Sequence, residues 1–295
     1  MLKLIRASFI RYLSDSFIQL ALILSPVLGC IAVLTSISGL YNVEIKPVWF
    51  AVVLMVCALL TSLAVGREFH DGTIRNKLIV GHSKPMIFVA ELVAALVISV
   101  MTYILSVVPF YLATGEFRHE MPVNWQIRIY LLLLCVYLLF TALTVSLTFI
   151  SSNRVIAVLG VFGILGLMFL LSSAQEDLIE KSDPETRYFT EYIYGEDGEY
   201  KEIQKERYDF LPLPKYTRNT IIWLNHCNTV SSLQHFTGYF NKYGRYRGHS
   251  SSDPELDKER NKAMKMIAED FPPQIIVFIL IPLAACLRFR KQDIK

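Results

Sequence analysis

Long apolar runs alternate with short polar breaks along this chain, and the runs have membrane length. Six can be read, at Phe17–Ser38, Trp49–Gly66, Met86–Thr114, Ile127–Ile150, Val155–Ser173 and Pro272–Leu287. A helix of ~20 apolar residues crosses ~30 Å of hydrocarbon. The fifth run is the cleanest, with twelve Val, Ile, Leu or Phe residues between Val155 and Ser173; each favours insertion by about 0.3–0.6 kcal/mol. The sixth is short and holds Gln274 and Pro282, but Arg288, Arg290 and Lys291 follow it and anchor its end at a lipid surface. Ahead of the first run, Leu2, Ile5, Phe9 and Leu13 share one helical face with Lys3 and Arg11 off it. That spacing predicts an amphipathic helix along the cytoplasmic leaflet. The fold class expected is an all-α polytopic membrane protein: six transmembrane helices, an amphipathic N-terminal helix, and a mixed extracellular domain between spans five and six. The divisions are 1–173, 174–271 and 272–295, with a loop of special interest at 67–85.

Composition agrees. Of 295 residues, 53% are hydrophobic and only 19% charged, below the ~25% charge of ordinary soluble domains. The net charge of +3 says little by itself; its distribution sets the orientation. With the N-terminus cytoplasmic, twelve Lys and Arg fall in the inside segments and three (Lys46, Arg118, Arg128) in the short outside loops. The rule that basic residues stay inside then places both termini in the cytoplasm. Tyr41, Trp49, Tyr111 and Trp125 gather at the expected outer interface. The first apolar run is span-length and lacks a small-residue cleavage site, so no removable signal peptide is expected. Cys30, Cys57, Cys135 and Cys286 lie in the runs and only Cys227 lies in the insert. The insert therefore relies on packing rather than on an intrachain disulfide. A cell membrane is the expected location.

Residues 174–271 are domain-sized. The sequence Gly195–Tyr200 reads as a turn with Tyr and Ile on its flanks, which predicts a small hairpin. The stretch around Ile221–Leu224 reads as one or two helices burying Trp223. Asp253 and Pro254 predict the start of a further helix leading toward the sixth run.

Catalytic motifs are absent. There is no G-x-x-x-x-G-K-[ST], so the chain has no phosphate-binding loop of its own, and no H-E-x-x-H, C-x-x-C or G-x-S-x-G. His226, Cys227, His235 and His249 match no metal-ligand spacing. Glu91, one to two turns into the third run, reads as an interfacial glutamate paired with Lys84 or another base. Few charges lie within the runs and no inverted repeat is evident, which argues against a secondary transporter. Gly160, Gly163 and Gly166 recur every three residues and make a smooth ridge for helix approach. Thr141, Thr144, Ser146 and Thr148 put hydroxyls on more than one face of the fourth run. Both features fit internal packing, and both fit a dimer seam. Pro26, Pro109 and Pro282 lie within runs.

The segment Arg67–Lys84, REFHDGTIRNKLIVGHSK, carries the most information. Ile74 and Leu78 stand four apart, so a short helix would put them on one face with Arg75 and Lys77 turned aside. Asp71-Gly72-Thr73 offers side-chain oxygens to cap its start. A short amphipathic helix held at the cytoplasmic face is suited to docking another protein.

With its N-terminal helix, six runs, this charged segment and a large insert before the last run, the chain resembles a type-2 ABC-transporter permease. That is the membrane subunit of an ATP-binding-cassette exporter, and the segment is similar to the form seen in Gram-positive bacteria. The resemblance implies that Glu68, Gly72, Thr73, Arg75 and Lys77 belong to a coupling helix seated on a separate ABC ATPase present in two copies. ATP and Mg would be bound by that partner; this chain would hold no cofactor or metal and would not be an enzyme. It further implies a second permease subunit, as a homo- or heterodimer, contact with membrane lipid but not nucleic acid, and export of an amphipathic substrate such as a peptide, antibiotic or lipid-like molecule. Glu91 departs from the family, where a lysine is common. The competing reading is a membrane sensor or immunity protein whose extracellular domain binds a ligand.

Overall fold

The structure is a computed structural model that describes residues 1–37, 47–113, 123–184, 187–194, 200–206, 209–228 and 271–291, with single positions 231, 265 and 269. Nine helices and one hairpin are found among them: α1 (Leu2–Ser14), α2 (Ser16–Ile37), α3 (Pro47–His70), α4 (Thr73–Ile79), α5 (Lys84–Ala113), α6 (Val123–Ser151), α7 (Arg154–Lys181), β1 (Tyr188–Tyr194), β2 (Tyr200–Glu206), α8 (Lys215–Cys227) and α9 (Phe271–Lys291). Four helices are long and apolar enough to cross a bilayer, within α5, α6, α7 and α9; the count is five if α1 and the start of α2, which meet at 69°, form one bent span. The protein is thus mainly helical and built to span a membrane.

α6 is the central element, packed against α3, α5, α7 and α9, while α2 lies on α3 and α5. Thr141, Thr144, Ser146 and Thr148 of α6 are all buried. In a dry helix bundle such hydroxyls must bond within the protein. Thr141 meets Ser99 at 2.6 Å and Thr148 meets Ser62 at 2.9 Å, joining α6 to α5 and α3. Internal packing therefore accounts for Thr141, Thr144 and Thr148, while the buried Ser146 hydroxyl finds no hydrogen-bond partner among the described residues. One unforeseen close approach joins α2 to α5, where a Cβ at Gly29 would overlap the carbonyl oxygen of Ser106.

The main core lies at the end of the bundle that carries α4. Phe69, Phe88, Phe149 and Phe289, from α3, α5, α6 and α9, meet edge to face around Phe149, with ring centroids 4.9–6.1 Å apart. Each such pair is worth about 0.5–1.5 kcal/mol beyond its burial. α7, by contrast, leaves Leu159, Leu167 and Leu170 exposed, as does α9 for Ile279 and Leu283.

The expected hairpin is present. β1 and β2 are antiparallel with Tyr194 opposite Tyr200, though the turn residues 195–199 lie outside the described set. Trp223 is not buried as expected: it is 52% exposed. α8 instead turns Asn225 inward. The helix expected after Asp253, and the side chains of Tyr41, Trp49, Tyr111 and Trp125, lie outside the described residues.

Candidate functional site: a buried ionic joint beneath α4

Residues 67–84 form less loop than the sequence suggested. α3 continues through His70, only Asp71 and Gly72 intervene, and α4 begins at Thr73. Gly72 adopts φ +67°, a left-handed conformation that costs a residue with a Cβ about 1–2 kcal/mol. No side chain caps α4. The oxygens of Asp71 and Thr73 do not perform the expected capping; Asp71 Oδ1 lies 3.1 Å from His70 Nδ1 instead. At the far end, Gly81 has φ +97°, its N–H donates to Leu78 O at 2.9 Å, and the His82 N–H donates to Lys77 O at 3.1 Å. This double bond over a left-handed glycine closes a helix sharply. Two glycines thus define a helix of two turns.

The orientation of α4 corrects the sequence reading. Ile74 is buried, and Lys77, three residues on, is buried beside it at 7% exposure rather than turned aside. Arg75, Asn76, Ile79 and Val80 face out. The inward turn of Lys77 has a clear physical cause, because two carboxylates wait beneath it. Its Nζ donates to Glu68 Oε2 at 3.0 Å and to Glu91 Oε1 in a closer contact. Ser8 donates to the same Glu91 oxygen at 2.7 Å, and Arg11 donates to Glu68 Oε2 at 2.5 Å. Glu91 is fully buried. Of the bases open to it, its partner is Lys77 and not Lys84, which points to Arg290 O at 3.4 Å.

The joint therefore draws one or two groups from each of α1, α3, α4 and α5. Two carboxylates face one ammonium and one guanidinium, so the cluster balances in charge. Burial raises the Glu68 carboxyl above its ordinary value of 4.5; the neighbouring Glu91 carboxylate adds to this, while Lys77 and Arg11 pull it back down. Breaking such a pair from one side leaves a buried charge uncompensated, at about 3–5 kcal/mol. A second tie fixes the bend between α1 and α2. Asp15 accepts from the Phe17 N–H at 2.8 Å and from Arg67 at 2.9 Å, and the Arg67 guanidinium stacks 4.6 Å from the Phe17 ring.

α1 is accordingly rotated from the expected face. Its buried stripe is Leu4, Ser8 and Tyr12, with Ile5, Phe9 and Leu13 beside it, and Leu2 is 82% exposed. The apolar pattern alone cannot show this, since the stripe is centred on Ser8, which bonds Glu91, and on a buried tyrosine. The sequence does not single out Ser8, Arg11 or Glu91 as members of this joint. The one available signal was Glu91, a carboxylate inside an apolar run that must find a cation.

The remaining expected positions separate. Thr73 is half-buried and Arg75 exposed. Nothing lies within 4 Å of a Cβ placed at Gly160, Gly163 or Gly166. Among the described residues, then, no side chain of this chain packs on that ridge. His226 and Cys227 lie on α8, while His235 and His249 fall outside the described residues. Comparison of the sequence with family models and with characterised proteins gives no match.

Proposed function

We propose that the chain is the permease subunit of an ATP-driven exporter, with α4 as the element through which a separate ATPase acts on the spans. The observation that carries this reading is the two-sided character of α4. Its inner side is tied by Lys77 and Ile74 to α1, α3 and α5, and its outer side offers Arg75 and Asn76 beside Ile79 and Val80. Those last two residues are 73% and 77% exposed, and adjacent β-branched apolar side chains on a charged, water-facing turn fit a protein partner.

Roles within the coupling segment then divide. Arg75, Asn76, Ile79 and Val80 make the contact; Glu68 and Lys77 transmit it; Gly72 supplies the turn that points α4 outward, and Thr73 opens the helix. Counting α2 and α3 as full spans gives six, with both termini and α4 in the cytoplasm and residues 174–271 outside. Two ATPase copies bind ATP and Mg, and a second permease subunit completes the path. Differential affinity of nucleotide for the closed ATPase pair drives the cycle, so the permease needs only two packings of similar stability. The substrate class proposed is amphipathic, since little charge lines the apolar helices.

The test is co-purification of the full chain from its native membrane, followed by ATP turnover of any ATPase that associates with it. Charge reversal at Arg75 combined with Ile79→Asp is expected to abolish stimulation of ATP hydrolysis and weaken the complex while leaving the melting temperature unchanged. Unaltered stimulation, or failure of any ATPase to associate, refutes the proposal and favours the sensor or immunity reading.

A further inference from the structure

α8 ends in a cluster of buried polar groups. Asn225 is the fully buried residue of the helix, with Ile221 and Ile222 half-buried on the same side, and the Asn228 and Ser231 that follow it are buried, as are Ser172 of α7 and Gln274 of α9. These groups satisfy one another. Ser231 donates to Asn225 Oδ1 at 2.6 Å and meets Ser172 at 2.7 Å, Asn228 Nδ2 donates to Met168 O at 2.7 Å, and Gln274 donates to His226 O at 3.3 Å. On the opposite side of the helix, Tyr216, Trp223 and Leu224 are 84%, 52% and 45% exposed. The exposed polar residues of the helix, Lys215, Thr217, Asn219 and Thr220, all precede Trp223 and Leu224.

The bonds also fix the depth of α8. Near its start, Arg218 pairs with Asp183 at 3.2 Å, and the Leu211 N–H donates to Lys181 O, at the C-terminal end of α7. At its finish, Asn228 reaches Met168, about 20 Å back along α7 at 1.5 Å per residue. Met168 lies inside the apolar stretch Val158–Lys181. α8 thus runs back down α7, and its exposed polar residues (Lys215, Thr217, Asn219) lie at the upper end while Trp223 and Leu224 lie at the lower.

We propose that α8 is a re-entrant helix that dips into the leaflet at the C-terminal end of α7 and holds Trp223 and Leu224 against lipid acyl chains. The polar face is buried because non-water surroundings demand that its groups bond within the protein. The aromatic and aliphatic face is open because acyl chains cover it, in continuity with exposed Phe169, Leu170 and Ile275 of the two adjoining apolar helices. This inference needs only that α7 and α9 lie in a bilayer and does not depend on the export reading.

The test uses the full chain in phosphatidylcholine vesicles, with Trp49→Phe and Trp125→Phe leaving Trp223 as the sole tryptophan, excited selectively over tyrosine. Quenching by acyl-chain-brominated lipid is expected to exceed quenching by aqueous acrylamide at least about twofold, as for a ring below the headgroups. Acrylamide quenching without bromine quenching overturns the proposal in favour of water, and resistance to both overturns it in favour of a protein partner. A Phe162→Trp reporter on α7, in a background lacking the three native tryptophans, separates failure of α8 from failure of the membrane reading itself. A second measurement spares the tryptophans. Cys227, on the same face, is expected to resist a membrane-impermeant maleimide in intact chain while Asn219→Cys reacts; equal labelling refutes the proposal.

Discussion

Lys77 is the side chain on which the α4 segment turns, because it alone answers carboxylates from both α3 and α5. Lys77→Met keeps the length of the stem but strands Glu68 and Glu91. The expected cost is about 3–5 kcal/mol, read as a lowered melting temperature in detergent; an unchanged melting temperature would show that the pair contributes nothing. Glu68 gives a pH signature. Its folded value is raised above 4.5 by burial, so its protonated form is favoured in the fold. The contribution of Glu68 to stability is therefore greatest at low pH and declines as pH rises from about 4.5 through the raised value. Glu68→Gln imitates the protonated form. The stability of wild type relative to this variant is expected to fall over that window and level off above it. A difference that rises with pH would reverse the sign and refute the assignment. The sequence located this chemistry better than it assigned it: the segment was recognised, but an i, i+4 count of apolar residues cannot tell whether an intervening lysine faces water or a buried acid.

Among the elements, the apolar runs were the most legible part, since span length follows directly from hydrocarbon thickness. Helix ends were less so. α3 was expected to stop at Gly66 and extends through His70, because Arg67, Glu68 and Phe69 each find a partner below. Least legible was Gly29, which no local pattern distinguishes from the glycines of α7. Only the packed structure shows that Gly29 faces the Ser106 backbone while Gly160, Gly163 and Gly166 face open space. Gly29→Ala is expected to force α2 and α5 apart at about 1–3 kcal/mol, measured by thermal unfolding in detergent. No loss of stability would mean that the two helices yield there at little cost.

For the whole molecule, the unoccupied glycine ridge on α7 bears on assembly. As nothing among the described residues packs on it, Gly163→Leu is expected to leave the monomer's melting temperature unchanged. If a second subunit seats there, the same change lowers the dimer fraction in chemical cross-linking and size-exclusion chromatography; an unaltered dimer places the seam elsewhere. The membrane-length helices were readable from the apolar runs alone, whereas the buried polar groups at the end of α8 were invisible, because in sequence that stretch reads as an ordinary soluble helix. A consequence follows from the ring of Phe69, Phe88, Phe149 and Phe289. It clamps four helices at one extremity, so they cannot slide independently there, and any thrust delivered to α4 enters a stiff fulcrum. A tilt of about a tenth of a radian, carried along ~30 Å of helix, sweeps the opposite tips through about 3 Å.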